Sequence, residues 1–225
     1  MYSLAHTSHI DKFHLPQPFT TGMETKTISL QHNNLLYHAD CSDELLDGSY
    51  KLRNEVFDEE KSWVTGQDGL EIDQFDATST TSVVTNEVRE VVATSRAVDS
   101  RYNWMSETCF GGIFRKNIQD IKIPGVKEIS RVCISKYYRN NYFTENIKTF
   151  DFLLAGMLLE NKMQGTRGAV IITGFYMYKF LEKNNIKIHM LSKKVIMPDR
   201  YEIAIFYVDI EQSFHSFKPL KYLGC

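Results

Sequence analysis

The alternation of apolar and polar positions divides the chain into a run of short elements. Between Ser42 and Lys61, the residues Leu46, Tyr50, Arg53 and Phe57 follow one another at steps of 4, 3 and 4. That is the spacing of one helix face, with Ser42 or Asp43 able to cap its start. Residues 64–79 break the rhythm with Gly and Asp and predict a loop. Ser82–Val84 and Val88–Val98, the second rich in β-branched residues, predict a strand pair joined through Thr85 to Glu87. A connection carrying Trp104, Phe110 and Phe114 leads to the turn pair Pro124–Gly125 and a strand over Val126–Ser135. Ile147, Phe150, Leu154, Met157 and Leu158 then predict the longest helix, Thr144–Met163, with Thr144 as its cap. Strand Gly168–Thr173, helix Phe175–Asn184, a mostly extended stretch Ile186–Ile196 and a last strand Ile203–Ile210 complete the order.

A helix between two strands, repeated in the second half, argues for parallel βαβ character. The expected class is α/β: a single domain with a mixed central sheet flanked by helices. Residues 1–30 are mixed polar, carry His6, His9 and His14 without a thiol partner, and show no periodicity, so they read as a loosely ordered extension. Residues 31–225 contain neither an internal repeat nor a domain-scale linker.

Composition narrows the function classes. The 225 residues are 43% hydrophobic and 24% charged, enough for one substantial core. A formal net charge of −2 offers no global reason for nucleic acid or an anionic membrane as partner. The four cysteines lie far apart with no CxxC pair, and no metal is implied; a reduced, cytoplasmic protein is the simplest expectation. With no apolar run long enough to span a bilayer and no signal-peptide pattern at the N-terminus, export and membrane insertion are not expected.

The candidate chemistry lies in dispersed charged and aromatic residues. Arg53 falls on the apolar stripe of the first helix and needs an anionic or carbonyl partner there, unless it snorkels at the stripe's margin. Trp63 follows, then Asp73 and Asp76 in LEIDQFD, Arg96 in TSRAV, and Glu128, Ser130 and Arg131 in EISR. Ideal strand alternation sets Glu128 and Ser130 on one face and Arg131 on the other. A bulge would bring them together.

The order and spacing of Arg53, Phe57, Trp63, Asp73, Asp76, Arg96, Phe110, Glu128 and Arg131 resembles the acyl-homoserine-lactone synthases, the autoinducer synthases of the LuxI type. The resemblance spans about residues 45–210, with Phe114 competing with Phe110 for the single phenylalanine position, and departs over Ser100–Thr108. It implies a fold like that of Gcn5-type N-acyltransferases, with a bulge that splays the central strands. It further implies quorum-sensing chemistry: N-acylation of S-adenosylmethionine by a fatty acyl thioester, then lactone closure with release of methylthioadenosine. S-adenosylmethionine is thus a substrate, and no cofactor is implied.

Residue types fit that chemistry. A sulfonium and an ammonium call for aromatic faces and carboxylates, and a carboxylate calls for an arginine. Phe57, Trp63, Asp73, Asp76 and Arg53 supply these, although Trp63 is equally a packed tryptophan beside the loop. N-acylation needs a deprotonated amine, and Glu128 is the candidate base, assisted by Arg96 and Arg131. Glu128 is otherwise a structural partner of Arg131 or Arg96. Phe110, Ser130 and Thr173 are candidate acyl contacts, Thr173 as a donor to a 3-oxo group. Lys179 and Lys183, four apart on the helix Phe175–Asn184, form a basic patch for an acidic acyl carrier protein or are plain surface charges; acyl-coenzyme A is the other donor. The competing functions are an N-acyltransferase for a different amine and a catalytically silent acyl- or nucleotide-binding regulator.

Overall fold

The computed structural model describes residues 29–224, apart from positions 33, 40, 140–141, 145–146 and 198–199. All of the extension expected over residues 1–30 except Ser29 and Leu30 lies outside the described residues. Those two belong to β1 (Ser29–His32), which pairs antiparallel with β2 (Leu35–His38), a hairpin the periodicity did not predict.

Helix α1 (Asp43–Arg53) runs directly into a π-helical stretch, Asn54–Glu60, so the expected element is present but changes its winding halfway. Its buried face is Leu45, Ser49, Leu52, Arg53 and Val56, one position away from the expected stripe except at Arg53. Leu46, Tyr50 and Phe57 are only half-buried. Ser49 tolerates the interior because its hydroxyl bonds that of Thr94 at 2.6 Å. After the loop come β3 (Ser79–Thr85) and β4 (Val91–Asp99), paired antiparallel as expected of a hairpin.

The aromatic connection proves helical. Helices α2 (Met105–Cys109) and α3 (Gly111–Ile121) bury Phe114, Ile118 and Ile121 against Val98 and Trp104. Strand β5 (Val126–Ile134) follows, then a small separate pair, β6 (Tyr142–Thr144) and β7 (Ile147–Lys148). Helix α4 (Thr149–Met163) starts later than the expected Thr144, because Asp151 accepts the Lys148 N–H and the Thr149 hydroxyl is tied to the Tyr138 carbonyl. Its buried Phe152, Leu153, Ala155 and Leu158 anchor the main core.

Strand β8 (Gly168–Gly174), α5 (Phe175–Lys183), β9 (Ile188–Met190), β10 (Val195–Ile196) and β11 (Glu202–Asp209) agree with the sequence pattern. Two further helices, α6 (Ile210–Ser216) and α7 (Lys218–Tyr222), pack against α4.

The main sheet runs β1-β2-β3-β4-β5-β8-β11-β10, with β9 also on β11. Among the described strands, only β5 and β8 are parallel, joined by the crossover through α4. Their ladder stops at Glu128–Val170, although both strands continue. The sheet therefore opens beyond Glu128, with α2 and α3 covering one face and α4 the other.

Candidate active site

Two strands, the end of helix α1 and one loop build the charged part of the site. Along β4 and β5, Thr94 pairs with Cys133 and Arg96 with Ser130, so two steps on one strand face three on the other. The extra residue is the bulge that alternation required. Arg131 carries it with a φ of 53°, an uncommon conformation for a residue with a side chain. The bulge turns Arg131 to the same side as Arg96, and both reach the loop between α1 and β3.

That loop supplies three carboxylates for three arginines. Arg53, fully buried, donates to Glu71 at 2.5 Å and in bidentate fashion to Asp76 at 2.7 and 3.0 Å. Arg96 donates to Asp73 at 2.5 Å, to Asp76 at 3.0 Å and to the Ser130 hydroxyl at 3.2 Å. Arg131 donates to Glu71 at 2.8 Å and to Asp73 at 2.9 Å. Charge is balanced within the cluster, which is what makes its burial tolerable. Burial alone would raise the Asp76 carboxyl, but Arg53 and Arg96, with the Asp73 N–H, hold it below its ordinary value.

Neither arginine pairs with Glu128. Its two oxygens accept the backbone N–H groups of Met105 at 2.7 Å and Ser106 at 2.9 Å, the first residues of α2. Burial raises the Glu128 carboxyl above its ordinary value, against the pull of those N–H donors and of Arg96.

A cavity of about 680 Å³ opens beside this cluster. It is lined by Phe57, Trp63, Phe110, Glu128, Ser130, Arg131 and Thr173 among the candidate residues. Met105 and Cys109 line it from one sheet face, and Phe150, Leu154, Met157 and Leu158 from the other, so it passes through the opening between β5 and β8. The interior is apolar on the α4 side except at Asn161. At the other side, Trp63 is half-exposed, stacked on Phe57 at 6.3 Å and close to Tyr201 at 6.0 Å. It is not the packed tryptophan of the alternative reading.

The geometry sorts the candidates. Phe110 faces the cavity, whereas Phe114 is buried in the core beneath α3. Arg53, Asp73, Asp76 and Arg96, expected to meet the substrate or the reacting groups, do not line the cavity; they pair with one another and with Arg131. Arg131 is the cluster's cavity-lining cation. Glu71, which ties Arg53 to Arg131, was missed, although its place two residues before Asp73 in LEIDQFD was a signal. Lys179 and Lys183 are exposed on α5, whose Met177 and Leu181 line the cavity from its inner face. Among the described residues, no group of three or more His, Cys, Asp or Glu could hold a metal ion, and no helix is long and apolar enough to cross a membrane.

Comparison with known proteins places this architecture. An acyl-homoserine-lactone synthase of Yersinia enterocolitica is 25% identical over 151 residues, covering 66% of this chain and 69% of that protein. The structure of BjaI, a CoA-dependent acyl-homoserine lactone synthase, with SAM and isopentyl-CoA, matches with a TM-score of 0.67 at 18% identity over 81% of this chain and 83% of that one. FeeM, an N-acyl amino acid synthase from uncultured soil microbes, matches with a TM-score of 0.59 at 8% identity over 84% of this chain and 96% of its own. The two structural likenesses establish an N-acyltransferase fold. Residues 33–215 match the family model described as autoinducer synthase, and the chain accordingly belongs to the autoinducer synthase family of acyltransferases.

Proposed function

We propose that this protein joins S-adenosylmethionine to a fatty acyl thioester and closes the product to an acyl-homoserine lactone, a diffusible quorum-sensing signal. The observation that carries this is the cavity through the β5–β8 opening. It sets an apolar limb under α4 against a mouth lined by Trp63, Phe57, Arg131 and Glu128.

At the mouth, Phe57 and Trp63 face the sulfonium and ammonium of S-adenosylmethionine, and Arg131 takes its carboxylate. Arg53, Asp73, Asp76 and Arg96 act through the ion-pair cluster, holding Arg131 in its strained conformation. Glu128, its basicity raised by burial, accepts a proton from the ammonium directly or through one water. The free amine attacks the thioester carbonyl, the N–C bond forms and the thiol departs. Arg131 and Val132, which line the cavity and have no partner on β4, are the proposed source of backbone N–H donors to the developing oxyanion. The methionyl carboxylate then attacks its own γ-carbon, the lactone closes and methylthioadenosine leaves. Here in-line positioning supplies the acceleration, because the sulfonium is already a good leaving group.

Phe110, Ser130 and Thr173 contact the acyl group. Lys179 and Lys183 dock an acyl carrier protein, with acyl-coenzyme A as the other donor. The reaction is cytoplasmic, where both substrates are made, and Cys109 and Cys133 are free thiols. The test is purified protein with S-adenosylmethionine and a panel of acyl thioesters. Equal amounts of methylthioadenosine and acyl-homoserine lactone are expected. Acylated product without lactone would replace this reading by transfer to a different amine.

A further inference from the structure

Each guanidinium nitrogen of the charged cluster can be followed to its acceptor. Arg53 donates through all three to Glu71 and Asp76. Arg96 donates through Nε to Ser130 and through Nη1 to Asp73 and Asp76, and Arg131 donates through Nε to Glu71 and through Nη2 to Glu71 and Asp73. The remaining two nitrogens reach no oxygen among the described residues. Arg131 Nη1 meets the Met105 sulfur at 3.1 Å, and Arg96 Nη2 meets the same sulfur at 3.8 Å.

A thioether is a weak acceptor, whereas a guanidinium donates best to an oxygen anion. Met105 and Arg131 both line the cavity. The sulfur therefore stands, between two cationic donors, where a carboxylate oxygen of a ligand in the cavity would be better matched. A methionine side chain is unbranched and turns about three bonds, so it can leave that place while its backbone stays. The backbone has its own partner, because the Met105 N–H donates to Glu128 at 2.7 Å. One residue thus touches the candidate base through its main chain and two arginines through its side chain. An α-amino acid carries its carboxylate and its amine on one carbon, so a carboxylate in the sulfur's place brings the amine toward Glu128.

We propose that Met105 is a positioning residue whose sulfur occupies the carboxylate subsite of the free enzyme and is displaced from Arg131 by the carboxylate of S-adenosylmethionine. This rests on the acyl-transfer reading above and names the group that the substrate must move. The sulfur competes weakly, so it keeps the donors aimed without excluding an anion. A stronger acceptor at position 105 would compete with the substrate, and a side chain without an acceptor would not. Methylthioadenosine, which has lost the amino-acid portion, does not use this subsite.

The experiment follows lactone release by wild type, Met105→Gln and Met105→Leu, and reads KM for S-adenosylmethionine beside Ki for methylthioadenosine. Glutamine resembles methionine in length and carries an amide oxygen; leucine is apolar and carries no acceptor. Met105→Gln should raise KM for S-adenosylmethionine about tenfold, the value of one well-made hydrogen bond, and leave Ki for methylthioadenosine unchanged. Met105→Leu should hold KM for S-adenosylmethionine at or below the wild-type value. A Met105 that only packs would raise KM in both variants and move Ki with it. That pattern, or a KM that Met105→Gln does not alter, would overturn the proposal. If Met105→Gln does not fold, Met105→Leu decides alone: a KM above wild type overturns the proposal, and a KM at or below it supports the displacement. Neither lactone nor methylthioadenosine from the wild type would instead overturn the synthase reading.

Discussion

Glu128 accepts the backbone N–H of Met105 at 2.7 Å, so the candidate base also anchors the first turn of α2. Two roles meet in one carboxylate. Glu128→Gln keeps its shape but turns an NH₂ toward one of two N–H donors, at a cost of about 1–3 kcal/mol in stability. The loss of a base acts on the barrier, and kcat should fall by roughly 100-fold or more. The pH profile separates the two effects. Only deprotonated Glu128 accepts a proton, and burial raises its pKa. Wild-type kcat/KM should therefore drop, as pH falls, on a limb above the ordinary carboxylate range near ~4. Loss of that limb in Glu128→Gln identifies the base; an unchanged limb assigns Glu128 to anchoring alone.

The charged cluster gives a second expectation. Glu71 bonds both Arg53 and Arg131, and its replacement by Gln leaves buried positive charge uncompensated. Breaking a buried pair by removing one partner costs about 3–5 kcal/mol, and urea unfolding should show a loss of that order. Asp76 is held below its ordinary value, so its contribution is present above the unfolded-state pKa of about 3.9 and disappears as pH falls through the lower, folded value. Acid unfolding of the wild type should accordingly steepen below pH ~4. A flat stability profile there would show that the arginines do not depend on Asp76.

Much of this arrangement was legible in the chain, and what was not has physical reasons. Strand β11 buries the continuous apolar run Ile203–Val208 and β8 carries the apolar run Ala169–Ile172, so both could be read directly, whereas β5 was marked by the turn pair Pro124–Gly125 before it. Helix α3 was not legible: Phe114, Ile118 and Ile121 keep helical spacing, but Gly111 and Gly112 at its start weaken the local helical signal. On α1 the buried Ser49 hid the true face, since its polarity is satisfied by Thr94, a partner 45 residues away. The site followed the same rule. Residue types were visible, but Glu71 meets Arg131 across 60 positions, and no local pattern encodes such a pairing. Resemblance supplied the roles, and only the coordinates separated Arg53 and Asp76, which hold the site, from Trp63 and Arg131, which face the cavity.

Trp63 should act on binding of S-adenosylmethionine rather than on folding. It is 53% exposed, and its stacking partner Phe57 also lies under the Arg131 guanidinium at 5.6 Å. Trp63→Leu removes the aromatic face with little loss of buried area. KM for S-adenosylmethionine should rise about tenfold, the scale of a partly desolvated cation–π contact, with Tm nearly unchanged. An unaltered KM would show that the sulfonium sits elsewhere.

Thr173 lines the cavity near the end of β8, where it pairs with Ala204 of β11. Its hydroxyl is a donor for a 3-oxo group. Thr173→Val keeps the β-branched shape and deletes that donor, so preference for 3-oxoacyl over unsubstituted thioester should fall by about fivefold to tenfold. Equal kcat/KM ratios before and after would return Thr173 to the role of a strand residue.

Lys179 and Lys183 bear on how the acyl group arrives. Both are exposed on α5, the helix that turns Met177 and Leu181 inward to the cavity, so a carrier protein bound on its outer face would sit beside the acyl site. Acyl carrier proteins are strongly acidic, and attraction between exposed charges falls with ionic strength over a Debye length of about 10 Å at 0.1 M salt. Lys179→Glu with Lys183→Glu should raise KM for acyl carrier protein several-fold, and wild-type KM should climb with salt more steeply than that of the double variant. A minimal acyl-pantetheine thioester carries no such acidic surface and should be turned over equally by both proteins. An equal effect on the two substrates would mean that the substitutions disturb α5 itself. No effect on either would leave the lysines as solvated charges and favour coenzyme A as the donor's handle.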